Sequence, residues 1–200
     1  MEGQDEGLAK ATAYERWYRE PRGRRLGGAE LRLVLRALSG CGSVLDVGCG
    51  TGFFTRKIEA PFKVGLDISS GMLRYAAGKG GVYVRGDAAR LPFKTDCFDC
   101  VFCVAVLEFV EDMGAVLREM VRVARRRVAV GLLGRWGVLN IVRRARDFFV
   151  GGWFRKARFL RPADVEQELG RSLVWRSSFE ALGIRGFLGE FVMGVLEIEG

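Results

Sequence analysis

Short runs of apolar residues alternate along the chain with segments in which apolar residues recur at helical spacing. This alternation is typical of a parallel β-sheet whose strands are joined by crossover helices. The predicted strands span residues 43–47, 62–67, 82–85, 98–104, 127–133, 173–179 and 187–198. The predicted helices span residues 29–38, 53–59, 70–77 and 113–124, and a further helix begins at Pro162. The pattern alone therefore indicates a doubly wound α/β sheet.

The segment after the fifth predicted strand has a different pattern, in which residues 138–149 form a basic amphipathic helix. Residues 122–161 contain twelve arginines and lysines against one acid, Asp147. An apolar stripe is normal for any surface helix. A basic stripe is also compatible with a lid over an apolar or anionic substrate, with transient contact to a membrane surface, and with binding to RNA phosphates. We favour a lid or plain packing against the sheet, since the chain has no recognisable RNA-binding module.

The composition is that of one folded domain. A chain of 200 residues can bury a core without disulfides or metals, and 49% hydrophobic with 28% charged residues argues against disorder. The apolar runs are shorter than the ~18 residues of a membrane span, and the acidic start of the chain does not resemble a secretory signal. We therefore expect a cytoplasmic protein. The net charge of +8 comes mostly from arginine and concerns solubility more than fold.

The absence of histidine and the spacing of the cysteines restrict the classes of active site and metal centre that the chain can form. The chain contains no histidine, which excludes a Ser–His–Asp hydrolase and a metal centre held by histidine. The spacing of Cys97, Cys100 and Cys103 is similar to a cluster-binding run. However, an offset of three along a strand directs two side chains to opposite faces of the sheet. We therefore expect these cysteines to be small core residues, and we expect no metal.

A glycine-rich turn is the strongest motif. It follows the first predicted strand and reads Val44-Leu45-Asp46-Val47-Gly48-Cys49-Gly50-Thr51-Gly52. Three glycines in a strand-to-helix turn let backbone N–H groups approach a ligand closely. Their G-x-G-x-G spacing differs from the G-x-G-x-x-G of dinucleotide sites. A carboxylate at Asp46 would repel a pyrophosphate but suits a ligand with positive ammonium and sulfonium groups.

This turn and three later segments resemble, in order, the motifs of class I S-adenosylmethionine (SAM)-dependent methyltransferases. In that family the acid that ends strand two holds both ribose hydroxyls, which implies that role for Asp67, with Ile68 against the adenine. The acid after strand three accepts a hydrogen bond from the adenine amino group, which implies that role for Asp87. The residues that the resemblance implies for cofactor binding are Asp46, Gly48, Cys49, Gly50, Gly52, Asp67, Ile68, Asp87, Ala88 and Cys103.

The resemblance spans residues 40–133 and is closest to the small-molecule branch that includes quinone-biosynthesis methyltransferases. It implies a Rossmann-like sheet of seven strands, mostly parallel with an antiparallel last strand. The expected organisation is a single domain: a helical cap at 1–38, a cofactor-binding core at 40–133, a lid or substrate insertion at 134–170 and final strands at 171–200. Members of this branch often have His where Phe109 stands, so a proton relay that needs it is absent here.

The resemblance implies transfer of a methyl group from SAM, by direct displacement, to a small apolar or acidic molecule, with S-adenosylhomocysteine (SAH) as the product. Candidate bases or orienting groups are Tyr14, Tyr18 and Glu108. For both tyrosines we favour aromatic packing over the cofactor, and for Glu108 a cap on the helix after strand four. Two alternatives remain open: an RNA or protein methyltransferase that uses the basic 122–161 segment, and a SAM-binding protein without transfer activity. The sequence leaves the oligomeric state open.

Overall fold

The structure is a computed structural model that describes residues 2–133, 157–178 and 191–198. The predicted amphipathic helix at 138–149 and most of the predicted insertion lie outside the described residues.

Seven strands form one sheet in the order β3-β2-β1-β4-β5-β7-β6. Strands β1 to β5 pair with one another in parallel, whereas β7 runs antiparallel to both β5 and β6. The strands are β1 (Ser43–Val47), β2 (Phe62–Asp67), β3 (Val82–Arg85), β4 (Phe98–Val104), β5 (Ala124–Leu133), β6 (Val174–Ser177) and β7 (Phe191–Glu197). The predicted seven-stranded sheet with an antiparallel last strand is therefore confirmed, and the first four strands have the predicted bounds.

Helices cover both faces of this sheet. The helices are α1 (Glu2–Arg19), α2 (Pro21–Ala37), α3 (Ser70–Ala77), α4 (Met113–Val123) and α5 (Pro162–Leu169). One face packs against α4 through Val116, Leu117 and Met120, whereas the other packs against Val34 and Ala37 of α2. Successive side chains along a strand point to opposite faces of the sheet, so one strand contributes to both cores. Val44 faces α2, for example, while Leu45 faces α4.

Several predicted local features differ from the structure. The predicted helix at 53–59 is only a 3₁₀ turn at Thr55–Lys57, and the helix predicted from residue 29 begins at Pro21, a residue suited to the first helical turn. The strand predicted at 127–133 begins at Ala124, so that Arg125 and Arg126 also lie in β5, while α4 ends at Val123. The earlier start reflects the pairing of Ala124 with Phe98 of β4, which precedes a register shift between Phe98 and Cys100.

The strand order creates a crevice at the carboxyl edge of the sheet. From β1 the chain adds β2 and β3 on one side, and it then adds β4 and β5 on the other. The loops that follow β1 and β4 therefore diverge, and in open α/β sheets such a switch point is where ligands bind. The glycine-rich turn follows β1 and thus lies at this point.

The core cysteines lie as the strand alternation predicts, with one addition. Cys100 and Cys103 are both fully buried, and they belong to the cores on opposite faces of the sheet. The addition is a disulfide between Cys100 and Cys41, which the sequence pattern did not predict. It joins the loop before β1 to β4 across 59 residues. Cys49, Cys97 and Cys103 are free.

This pairing predicts the thiol count of the protein. Unfolded in denaturant without a reductant, the protein should react with a thiol reagent at three of its five cysteines, and with a reductant at all five. Replacing Cys41 by Ala should free Cys100 and give four reactive thiols, with a loss of stability of about 2–4 kcal/mol. Five reactive thiols in the unreduced protein would contradict the disulfide.

Candidate functional site

The glycine-rich turn after β1 packs tightly on one side and is open on the other. Gly48 has φ of +71°, and a Cβ atom there would overlap Val106, which follows β4. Gly52 has φ of +72°, and a Cβ atom there would overlap the Tyr83 hydroxyl. Gly50 also has a positive φ, but the position of its missing Cβ has no atom of the described residues within 4 Å. Glycine is thus required for packing at 48 and 52, and at 50 it leaves room for a ligand.

Asp67 connects this turn to the end of β2. Its Oδ2 accepts a hydrogen bond from the Gly50 backbone N–H at 2.8 Å, and its Oδ1 accepts one from the Ser69 N–H at 2.8 Å. Burial raises the pKa of Asp67, and these hydrogen bonds oppose that effect. Each carboxylate oxygen has a second acceptor position. Asp67 therefore shapes the turn and is still able to accept two further hydrogen bonds.

Asp46 lies beneath the turn, almost completely buried. Its Oδ2 accepts a hydrogen bond from the Thr55 hydroxyl at 2.5 Å. Burial raises the pKa of Asp46 to about 7, and the nearby Asp67 raises it further while the Thr55 hydroxyl lowers it. Both acids are thus desolvated with no cation paired to them in the described structure. A cationic ligand at this edge would stabilise their charged forms.

The remaining predicted cofactor residues differ in their exposure to solvent. Ile68 is 65% exposed at the rim of the crevice, and Asp87 is exposed, with Oδ1 accepting from the Ala89 N–H. Ala88 is partly buried and packs against the core. By contrast, the Cys49 and Cys103 side chains are buried, and burial raises both thiol pKa values. Any contact that Cys103 makes with a ligand would therefore involve its backbone.

The first two helices form a cap over the glycine-rich turn. Tyr18 of α1 stacks on Phe53 with ring centroids 3.8 Å apart, and α2 approaches Tyr18 so closely that a Cβ at Gly27 would overlap its ring. Glu15 forms an ion pair with Arg56 at 2.7 Å. Arg56 also donates to the carbonyl oxygen of Thr51 within the turn. The cap is thus joined directly to the backbone of the candidate site.

Sequence reasoning missed Glu15, Thr55 and Arg56. Their contacts join residues 41 and nine positions apart in the sequence, so helical or strand periodicity carries no information about them. The sequence offered one partial signal, which was the acid Glu15 within the predicted helical cap. In the structure 93% of the surface of Glu15 is buried. A buried acid requires a partner.

Tyr14 and Tyr18 pack against each other in the cap, whereas their packing over the cofactor stays a prediction. Their rings meet edge to face, and their hydroxyl oxygens are 3.2 Å apart. Desolvation and the nearby carboxylates Glu30, Asp46 and Glu15 raise the pKa of the Tyr14 hydroxyl to about 12, although 38% of the residue's surface is exposed. Tyr14 is therefore a neutral phenol near pH 7, which argues against a role as a base.

The predicted capping role of Glu108 was wrong. Asp112 caps α4 by accepting from the Ala115 N–H. Glu108 is instead fully buried, and its Oε1 accepts a hydrogen bond from the Leu133 N–H at 2.7 Å, which connects the ends of β4 and β5. Burial raises the pKa of Glu108 to about 7, and the Leu133 hydrogen bond opposes the shift.

No group of three or more metal-binding side chains occurs within residues 2–133, 157–178 and 191–198. In the same ranges no helix is long and apolar enough to cross a membrane. The absence of a metal from the site stays a prediction.

Comparison with known proteins identifies the domain. Residues 45–130 match a family model described as a methyltransferase domain. A demethylmenaquinone methyltransferase of Roseiflexus castenholzii is 39% identical over 101 residues, which cover 46% of this chain and 42% of the relative. The chain therefore spans less than half the length of that relative. An uncharacterised protein of Methanocaldococcus jannaschii is 30% identical over 160 residues, which cover 77% of this chain and 70% of the relative.

Solved structures show the same fold. A SAM-dependent methyltransferase of Thermotoga maritima, described as a possible histamine N-methyltransferase, superposes with a TM-score of 0.76. The alignment covers 93% of this chain and 95% of that chain at 24% identity. This likeness concerns the fold.

The buried carboxyl of Glu108 predicts a pH-dependent stability. Its folded pKa of about 7 exceeds the reference value of 4.5, so the folded state holds the proton more tightly and loses stability as the pH rises from 4.5 through 7. Glu108→Gln removes this titration. The variant should be more stable than the wild type at pH 8, by up to about 3 kcal/mol, and similar at pH 4.5.

Denaturant unfolding at both pH values measures this difference. Asp46 contributes a fall of the same sign, so the comparison is between the two proteins at each pH. An identical pH dependence in wild type and variant would contradict the assignment to Glu108.

Proposed function

Because this chain belongs to the class I SAM-dependent methyltransferase family, we propose that it transfers the methyl group of SAM to a small-molecule acceptor. The observation that carries the proposal is the open face of Gly50 beside the doubly bonded Asp67 carboxylate. A vicinal diol supplies two donors to such a carboxylate. The turn also offers backbone N–H groups at the carboxyl edge of the sheet, where the switch point lies.

The residues present fit the charge and shape of SAM. In the proposed site, Asp67 accepts the ribose hydroxyls, Asp87 and the Ala88 N–H bind the adenine edge, and Ile68 packs on its face. Gly48, Gly50 and Gly52 surround the amino-acid end, with the buried Asp46 supplying negative potential. A ligand with a positive sulfonium and a positive ammonium would offset the cost of the two desolvated acids.

Bound SAM supplies a methyl group on a positively charged sulfur with a neutral leaving group. The tasks left to the chain are to align the acceptor and to exclude water. The cap performs the second task, since Tyr18 and Phe53 cover the turn and Glu15 with Arg56 anchor α1 to Thr51.

A small acceptor is favoured over RNA or protein by the contacts of the basic residues. The described arginines of the 122–161 segment all bind groups of the chain itself: Arg122, Arg125, Arg126, Arg127, Arg158 and Arg161. Three of them lie at the start of β5, on the edge of the sheet opposite the crevice. The similarity to a demethylmenaquinone methyltransferase also favours a small molecule.

Substitution of Asp67 tests cofactor binding. Asp67→Ala removes the acceptor of the Gly50 and Ser69 N–H groups as well as that of the proposed diol. We expect the Kd for SAH, measured by titration calorimetry, to rise about 100-fold, because hydrogen bonds to charged groups contribute about 1.5–3 kcal/mol each. The control is Asp96→Asn, at an exposed position beside β4 on the opposite edge, which should leave the Kd unchanged. Unaltered affinity in Asp67→Ala would refute the proposed site.

The pKa of Asp46 predicts how SAM binding depends on pH. If the cation requires the ionised carboxylate, affinity falls as the pH drops below the pKa of about 7. The Kd for SAM should therefore rise about tenfold when the pH is lowered from 8 to 6, because the ionised fraction of one such group falls by about that factor. Asp46→Asn should bind weakly at both pH values and lose this dependence. A wild-type Kd that is constant over this range would contradict the role of Asp46.

A further inference from the structure

Glu108 has an oxygen that the fold does not use. Within the described residues, three buried side-chain oxygens lack a hydrogen-bond partner: Thr51 Oγ1, Ser177 Oγ and Glu108 Oε2. Glu108 is the carboxylate among them and is completely inaccessible to solvent. A buried, unsatisfied carboxylate oxygen is costly, so its presence in the domain calls for an explanation.

The other polar groups of Glu108 are held in place by the chain. Oε1 accepts from the N–H of Leu133, the last described residue before the chain leaves the sheet. Its backbone carbonyl accepts from the N–H of Arg158, where the described chain has returned, at 2.8 Å. Oε1 and the backbone carbonyl of Glu108 are thus both hydrogen-bonded, and Oε2 is the oxygen left without a partner in the described residues.

Glu108 also lies near the methionine end of the proposed cofactor site. Val106, two residues earlier, packs against Gly48 of the turn. The buried thiol of Cys103 links the two acids electrostatically, because Glu108 and Asp46 both raise its pKa. Glu108 thus follows the exit of β4 two residues beyond the residue that contacts the glycine-rich turn, on the side where the methionine end of SAM lies in the proposed site.

We propose that Glu108 Oε2 binds and deprotonates a protic acceptor, an O–H or a neutral N–H group, during methyl transfer. The inference rests on the proposed function and deepens it by naming the class of acceptor atom. The acceptor heteroatom forms a bond to the methyl carbon while the carbon–sulfur bond breaks and its electron pair goes to sulfur. The acceptor proton moves to Oε2, and in the proposed cycle the resulting carboxylic acid loses it to water that enters when the product leaves.

The environment of Glu108 suits proton transfer near neutral pH. A general base works best when its pKa is near the working pH, and burial raises the pKa of Glu108 to about 7. Among the described residues, the Cys103 thiol of β4 lies within electrostatic range of Glu108, and its pKa is raised well above its ordinary value. Arg158 contacts Glu108 through the backbone, while its guanidinium binds the carbonyl oxygens of Val110 and Glu111.

Glu108→Gln tests this role with little change of shape. Its amide oxygen can still accept from the Leu133 N–H, while an NH₂ group replaces the basic oxygen. The matched control is Glu111→Gln, three residues on and exposed. Probes for SAM-dependent turnover are 1,4-dihydroxynaphthalene (O–H), imidazole (N–H) and thioanisole, which has no exchangeable proton, with SAH formation as the measurement.

We expect the wild type to turn over at least one protic probe and not thioanisole. Glu108→Gln should keep the wild-type Kd for SAH but lower kcat about 100-fold or more. It should also lose the rise of kcat/KM between pH 6 and pH 8, whereas Glu111→Gln retains it. Glu108→Asp, which restores the carboxylate, should recover part of the rate.

Three results would overturn the inference: unchanged turnover or pH profile in Glu108→Gln, turnover of thioanisole alone, or no turnover of the protic probes by a wild type that binds SAH. Failure of the proposed function itself would be seen differently, as no binding of SAM or SAH to the wild type.

Discussion

The hydrogen bonds from the Gly50 and Ser69 N–H groups to the Asp67 carboxylate hold the candidate site together. They join the turn after β1, which lies at the switch point, to the loop after β2, and so fix these two loops relative to each other. The conformation of Gly50 then leaves an open face beside a carboxylate with unused acceptor positions. Because these bonds are formed between groups of the chain itself, they restrict the conformations of both loops, and such restriction reduces the free-energy cost of binding.

Two buried acids destabilise the folded state. Asp46 and Glu108 lie at the ends of the two central strands, and desolvation raises the pKa of each to about 7. Apolar residues at these positions would avoid that cost, whereas a cation beside Asp46 or a proton donor beside Glu108 offsets it on binding. Perturbed pKa values of this kind are concentrated at functional sites. Both acids lie within electrostatic reach of Cys103, so a single region of the crevice contains the destabilising groups.

The parts of the fold that sequence predicted well are those that burial determines. Strands β1, β2 and β4 are short apolar runs that are mostly buried, so their bounds follow from composition. The start of β5 was predicted three residues too late, because Arg125 to Arg127 are equally compatible with a helix end and with a strand whose basic side chains bind backbone carbonyls. The disulfide, the Glu15–Arg56 ion pair and the role of Glu108 depend on contacts between distant residues, which local periodicity does not encode. The glycine spacing with Asp46 and Asp67 indicated the site, since those residues lie at the ends of neighbouring strands.

The distribution of charge explains why net charge was a poor guide to the ligand. The chain carries +8 overall, yet Asp46, Asp67 and Asp87 follow or end strands at the carboxyl edge, with Glu15 buried in the cap above them. The arginines at the start of β5 bind carbonyl oxygens of Gly40, Ala37 and Cys97 at the opposite edge. Basic residues thus serve the structure of one edge while acids define the chemistry of the other. The acids therefore give the carboxyl edge a negative potential, and because charge interactions are least screened at short range, this edge is electrostatically more favourable for a cation than for an anion.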